Sequence, residues 1–149
     1  MKRAIVLSKK NIESGGGPFG AVIVKDGKII GEGWNQVTSL NDPTAHAEVG
    51  AIRAACQNLK NFDLTGAEIY TSCEPCPMCL SAIYWARLSK IYYGNTKTDA
   101  ASIEFDDDFL YTEILKPKAE RKISMVQMMH TEALEVFKAW NASDKKIKY

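Results

Sequence analysis

Neither sign of charge is in excess in this sequence: 19 Lys and Arg stand against 18 Asp and Glu, a formal net charge of +1. So balanced a chain has no general electrostatic footprint for a polyanion, and Asp106-Asp107-Asp108 would repel one near it. Nucleic acid is therefore not an expected partner. Long apolar runs are missing too, so no membrane span is expected. Met1-Lys2-Arg3 looks like the start of an export signal, but the apolar run Ala4 to Leu7 is too short and Lys9-Lys10 follows it. The four cysteines, at least two of them needed as thiolates, fit a reducing, cytoplasmic setting better than a disulfide framework. No internal repeat, linker or low-complexity tract interrupts the chain. With 46% hydrophobic residues, its 149 residues read as one globular domain, 1–149, with its own core.

Two segments stand out against this plain background. Thr44-Ala45-His46-Ala47-Glu48 and Ser72-Cys73-Glu74-Pro75-Cys76-Pro77-Met78-Cys79 together spell H-x-E followed by P-C-x-x-C, a zinc deaminase signature. One imidazole and two thiolates are three ligands, leaving the fourth tetrahedral position of a Zn²⁺ ion to a water or hydroxide; a structural site would be closed. Two thiolates balance the ion's charge and still let it lower the pKa of that water to about 7. Pro77 suits the first position of a helix, making Cys76 its N-cap and placing Cys79 in the first turn, near the positive end of the dipole. Asp42-Pro43-Thr44 reads as another helix start, with His46 and Glu48 in its first turn. The two helix ends can then meet over one zinc per chain, held by His46, Cys76 and Cys79. Glu48, two residues from a ligand, can reach the water without becoming a ligand itself, which makes it the general acid/base candidate.

Blander readings lack support in the sequence. Cys73, Cys76 and Cys79 space like an iron–sulfur motif, but no fourth cysteine follows, and a closed zinc ribbon would need a second pair where only Cys56 exists. Cys56 and Cys73 read as small buried apolar residues.

Periodicity supplies the frame. A short helix is expected over Ala4 to Ile12, ended by Gly15-Gly16-Gly17-Pro18. Phe19 to Val24 and Lys28 to Trp34 are strands of a hairpin turning at Asp26-Gly27. A loop holding Asn35 and Asn41 leads into a helix over Thr44 to Leu59. Ala67 to Thr71 and Lys90 to Tyr93 are strands flanking a helix over Pro77 to Trp85. Further on, Thr98 to Ala101 and Asp108 to Leu115 read as helices, Ile123 to Met128 as a fifth strand, and Thr131 to Trp140 as a last helix with Thr131 as cap. Met125, Met128 and Met129 read as core filler. The order implies an α/β fold with a five-stranded mixed sheet, its later strands parallel, and ligands gathered at one edge.

Pro18-Phe19-Gly20-Ala21, Asn35, Asp42 to Glu48, Ser72 to Cys79, Ala82 to Arg87 and Phe105-Asp106-Asp107-Asp108-Phe109 carry a further likeness. On these motifs the chain resembles the bacterial guanine deaminases of the cytidine deaminase-like superfamily, over nearly its whole length. The metal motif is shared with cytidine, deoxycytidylate, tRNA adenosine and riboflavin-pathway deaminases, so the Phe-Asp-Asp segment and the ending Lys145 to Tyr149 discriminate more. The resemblance implies a three-layer α-β-α fold and a homodimer that hydrolyses guanine to xanthine and ammonia. It puts zinc on His46, Cys76 and Cys79 and proton transfer on Glu48, assisted by Asp107. Asn35, Ala47 and Asp107 would hold the base, Phe19 and Trp85 line the pocket, and Tyr149 close it, with 141–149 as a lid, exchanged between subunits. Guanine presents donors, so a buried Asp107 is a suitable acceptor; the plainer role for Asp106 or Asp107 is a helix cap. The same acceptors would suit guanosine or another aminopurine, and a tRNA adenosine deaminase would need more basic clusters than Lys145, Lys146 and Lys148.

Overall fold

The hairpin at Asp26-Gly27 forms because both residues take the left-handed region, φ 50° and 74°, the two-residue turn whose twist suits paired strands. It joins β1 (Gly20–Lys25) to β2 (Lys28–Trp34). On its other side β1 pairs antiparallel with β3 (Glu68–Cys73), which pairs parallel with β4 (Lys90–Asn95). The sheet therefore runs β2-β1-β3-β4 and is mixed. The computed structural model describes residues 1–105 and 107–149, so the capping role considered for Asp106 lies outside the described residues.

Helices cover both faces. Alternation along β1 sends Gly20 toward α1 (Lys2–Glu13), where a Cβ would lie 2.4 Å from Ala4 O, and sends Ala21 and Ile23 the other way. There they join Ile69, Leu64 and Ile83 in the core, packed on Ala47, Ala51 and Ala55 of α3 (Ala47–Leu59). Each fully buried Ile or Leu of that cluster contributes about 1.5–3 kcal/mol. The alanines recur every four residues, and β2 answers them with glycine: a Cβ on Gly33 would lie 2.1 Å from Ala47 O. The helix thus rests its backbone on the sheet. Because β2 and β3 run the same way, α3 and α4 (Pro77–Trp85) both begin beyond the same edge. α4 is also the crossover between the parallel strands.

Five expectations need correction. The helix predicted from Thr44 starts at Ala47, since Asp42 Oδ1 accepts from the Thr44 amide and hydroxyl at 2.8 and 2.7 Å and closes a separate turn. His46 is left extended as the N-cap. The loop after Asn35 holds a short helix, α2 (Val37–Leu40). Most consequentially, the sheet has four strands among the described residues, and the fifth, at Ile123 to Met128, does not form.

The reason lies in how the chain divides. Met1–Tyr111 and Thr112–Tyr149 are separate compact units, and all four strands belong to the first. After α5 (Lys97–Ala101) and α6 (Asp108–Leu115), the second unit contains a single turn of 3₁₀ helix (Lys118–Glu120) and α7 (His130–Ala142). Apolar alternation alone does not make a strand, which needs a ladder partner for its backbone, and this unit supplies none. Its apolar residues are correspondingly exposed: Ile123, Val126, Met128 and Phe137 are each at least 75% exposed, and Met125 and Met129 are exposed as well. The methionines do not fill a core here. Met129, not Thr131, precedes the last helix as its N-cap.

Candidate metal centre

His46 and Cys76 are both N-caps in extended conformation, one at α3 and one at α4. Pro77 at the first position of α4 fixes that start and puts Cys79 one turn in, wholly buried. The His46 Nδ1 lies 3.7 Å from Cys76 Sγ and 3.5 Å from Cys79 Sγ. A tetrahedral zinc bonded at about 2.3 Å to sulfur and about 2.0 Å to nitrogen sets such ligands about 3.6 Å apart, so the three side chains fit it. They form a metal-ligand group among the described residues, with all ligand atoms within 4.8 Å of one another.

Electrostatics separate the two thiols. A hydrogen bond from the Cys79 thiol, with His46 beside it, holds the Cys76 thiol down at about 4. That same contact, together with burial, pushes Cys79 up. His46 is raised, first by its hydrogen bond to Cys76. This is a preformed thiolate with a proton held on its neighbour, and a divalent cation would displace that proton.

Glu48 follows on the first turn of α3 and is 6% exposed. It accepts from Thr71 Oγ1 at 3.2 Å through one oxygen, and its other oxygen lies 3.4 Å from Cys79 Sγ. Burial raises its pKa, which suits a group that must take up and return a proton.

A pocket of about 340 Å³ opens beside these groups. It brings together His46, Glu48 and Cys76 with Asn35, Phe19 and Asp107. Asp107 Oδ1 is buried and has no hydrogen-bond partner among the described residues. Burial raises its carboxyl, and the charge of Cys76 adds to this. Asn35 is 8% exposed, and its backbone N–H donates to Phe19 O at 3.1 Å. Ala47 is fully buried directly after His46. Trp85 is not brought to this pocket; it is 65% exposed at the end of α4, beside a shallow hollow with Ser81, Tyr84 and Arg87. Tyr149 belongs to the second unit and is 71% exposed.

The chain's 1–95 segment matches the cytidine and deoxycytidylate deaminase zinc-binding region, and that segment contains all three ligands and Glu48. The chain belongs to this zinc-binding deaminase family. Within it, the chain is 57% identical to a protein named guanine deaminase from Bacillus subtilis, over 98% of its own length and 95% of the relative's. An X-ray structure of guanine deaminase from Bacillus subtilis superimposes with a TM-score of 0.96 at 56% identity, covering 99% of this chain and 95% of that one. A tRNA-specific adenosine deaminase from Agrobacterium fabrum is 41% identical over 70% of this chain and 68% of its own.

Sequence reasoning passed over three residues of the site. Phe105 lines the pocket and meets Phe19 edge to face at 4.8 Å between ring centres, although it stood only as part of a motif. Thr71 reads as an ordinary strand residue until Glu48 is seen against it. Asn11 donates its side-chain amide to Gly17 O at 2.8 Å and Asn35 O at 2.7 Å, bracing one pocket wall from behind. A signal for Asn11 did exist: it follows Ala4 and Leu7 on the buried face of α1, where a polar side chain needs a partner.

Proposed function

We propose that this chain is a zinc-dependent aminohydrolase that converts guanine and water to xanthine and ammonia, with one zinc per chain on His46, Cys76 and Cys79. The observation that carries the choice of base is Asp107: a buried carboxylate oxygen with no partner among the described residues, in the same pocket as His46 and Cys76. Guanine offers ring N–H and amino donors that would satisfy it. The full-length likeness to a protein named guanine deaminase supports the same base. Thiolate ligands favour a reducing compartment, which supports a cytoplasmic enzyme.

Held by His46, Cys76 and Cys79, zinc would supply a water of lowered pKa and Lewis acidity. Glu48 would accept a proton from the attacking water, whose oxygen becomes bonded to the amine-bearing carbon. It would pass that proton to a ring nitrogen, and the proton left on the added hydroxyl, transferred with the help of Asp107, would leave with the amine as ammonia. Asn35 and Asp107 hold the base and Phe19 lines the wall, while Ala47 is fully buried and fixes the backbone next to His46. Ammonia release from guanine, guanosine, cytidine, adenine and a tRNA anticodon stem tests the assignment. Guanine is expected to be turned over fastest; a preference for guanosine would shift it to a nucleoside. The tRNA reading has the Agrobacterium fabrum relative in its favour and a net charge of only +1 against it.

Asp107→Asn is expected to keep zinc and fold while lowering kcat/KM for guanine by a factor equivalent to about 1–3 kcal/mol or more, because the amide sets a donor against donors. Unchanged kcat/KM would reduce Asp107 to a cap.

The second unit completes the proposal. None of its residues is buried, and it carries many exposed apolar side chains, more than a segment of this size can cover by itself. A second copy of the chain is the partner we assign, with Trp85 and Tyr149 contributing to pockets in the dimer and 141–149 exchanged as a lid. Deleting 141–149 should leave a folded, zinc-loaded protein with sharply lower guanine turnover. Mixing it with Glu48→Gln chains, which still carry tails, should restore part of the activity if the tail is exchanged. Wild-type kcat and KM in the deletion would remove the lid.

A further inference from the structure

The two oxygens of Glu48 have different neighbours. Oε1 accepts the Thr71 hydroxyl at 3.2 Å, whereas Oε2 lies 3.4 Å from Cys79 Sγ, on the side of the metal ligands. Thr71 sits on β3 two residues after Ile69, so both side chains leave the same face of the sheet, the face α3 covers. It is 1% exposed and does not line the pocket, so it is out of a substrate's reach. We propose that Thr71 is a positioning residue for the reaction: its hydroxyl anchors Oε1 and leaves Oε2 as the oxygen that moves the proton. This rests on the acid/base reading of Glu48 and names the atom that performs it.

The physical argument starts from the side chain's freedom. The last torsion of a glutamate is broad and nearly two-fold, so an unanchored carboxylate offers either oxygen at many angles. Proton transfer tolerates little of that, because the donor and acceptor must meet at hydrogen-bond distance. An anchor must itself be stiff, and threonine on a strand is: its branched Cβ restricts χ1, and the surrounding core holds its methyl. Its hydroxyl carries a single proton, so a bond to Oε1 commits it. A carboxylate buried this deeply also needs a donor to offset its desolvation, and Thr71 supplies one from the side away from the metal ligands.

Four variants test this: Thr71→Val, which keeps the shape and removes the donor; Thr71→Ser, which keeps the donor; Glu48→Gln; and the double variant Thr71→Val with Glu48→Gln. In Thr71→Val we expect full zinc by elemental analysis, KM for guanine within about twofold, and kcat lower by about 10- to 100-fold. Thr71→Ser should recover most of kcat. Adding Thr71→Val to Glu48→Gln should cost nothing further, since the group being positioned can no longer move a proton. A crystal structure of zinc-loaded Thr71→Val should show the Glu48 carboxylate rotated from its wild-type plane. Wild-type kcat in Thr71→Val beside a slow Glu48→Gln overturns this inference alone, as does an equal loss in both backgrounds or a Ser variant as slow as Val. Wild-type turnover in Glu48→Gln overturns the acid/base assignment and this inference together. Should the valine protein fail to fold, Thr71→Ala takes its place in the same kinetic comparison.

Discussion

Glu48→Gln is expected to remain folded and zinc-loaded while turning over guanine roughly 10²- to 10⁴-fold more slowly, the span that a positioned acid/base contributes. The amide matches the carboxylate in size and still offers an oxygen to the Thr71 hydroxyl, so the packing on β3 survives. What it loses is the capacity to accept a proton from water. The carboxylate is well suited to that step because it is 6% exposed and its pKa is raised by burial. A group so placed returns its proton more readily than a surface glutamate would. Steady-state kinetics with zinc analysis on the same sample decide the matter. Turnover within a few-fold of wild type, at equal zinc content, would take Glu48 out of the mechanism.

Cys76→Ser and Cys79→Ser are expected to bring zinc from one per chain to near none, and guanine turnover with it. Each removes an anionic ligand from a set that just balances the ion's two charges, and a serine hydroxyl stays protonated at neutral pH. The variants should also differ from each other. Cys76 is the thiol already held at about 4 by its neighbours, so its loss removes the preformed anion. Cys79 is wholly buried, and the smaller serine oxygen there leaves a polar group facing Glu48. Thermal unfolding should therefore fall in both, because metal binding is linked to the folded state. Full zinc occupancy in both variants would overturn the ligand set.

Local rules explain why so much of the site can be read before any fold is known. Pro77 fixes a helix start by its own ring, and that places Cys76 as cap and Cys79 a turn later whatever surrounds them. Asp26-Gly27 likewise chooses its turn from two backbone conformations. Where the reading slipped, a competing local partner had won: Asp42 bonds to Thr44 and delays α3 by three residues, making His46 a cap and not a first-turn residue. The ligand is unaffected, since a cap and a first turn lie at the same end of a helix.

Non-local partners are a different matter. Ile123 to Met128 has the alternation of a strand, but a strand is stable only beside another, and no periodicity says whether an edge will be there. Trp85 lies on the same helix as Cys79 yet away from the pocket of its own chain, because helical direction past the first turn carries it off. Thr71 and Glu48 are 23 residues apart, and Asn11 and Asn35 are 24 apart; only the stacking of helices on the sheet sets these pairs together.

The reaction chemistry is legible in the chain alone, because ligand type, ligand spacing and helix caps are properties of neighbouring residues. Tertiary packing, in contrast, sets the sheet at four strands among the described residues and brings Thr71 onto one oxygen of Glu48. It also leaves Asp107 in the pocket with an oxygen unpaired among the described residues. These depend on which distant surfaces exclude water together, and burial is what turns an ordinary threonine or aspartate into part of a site.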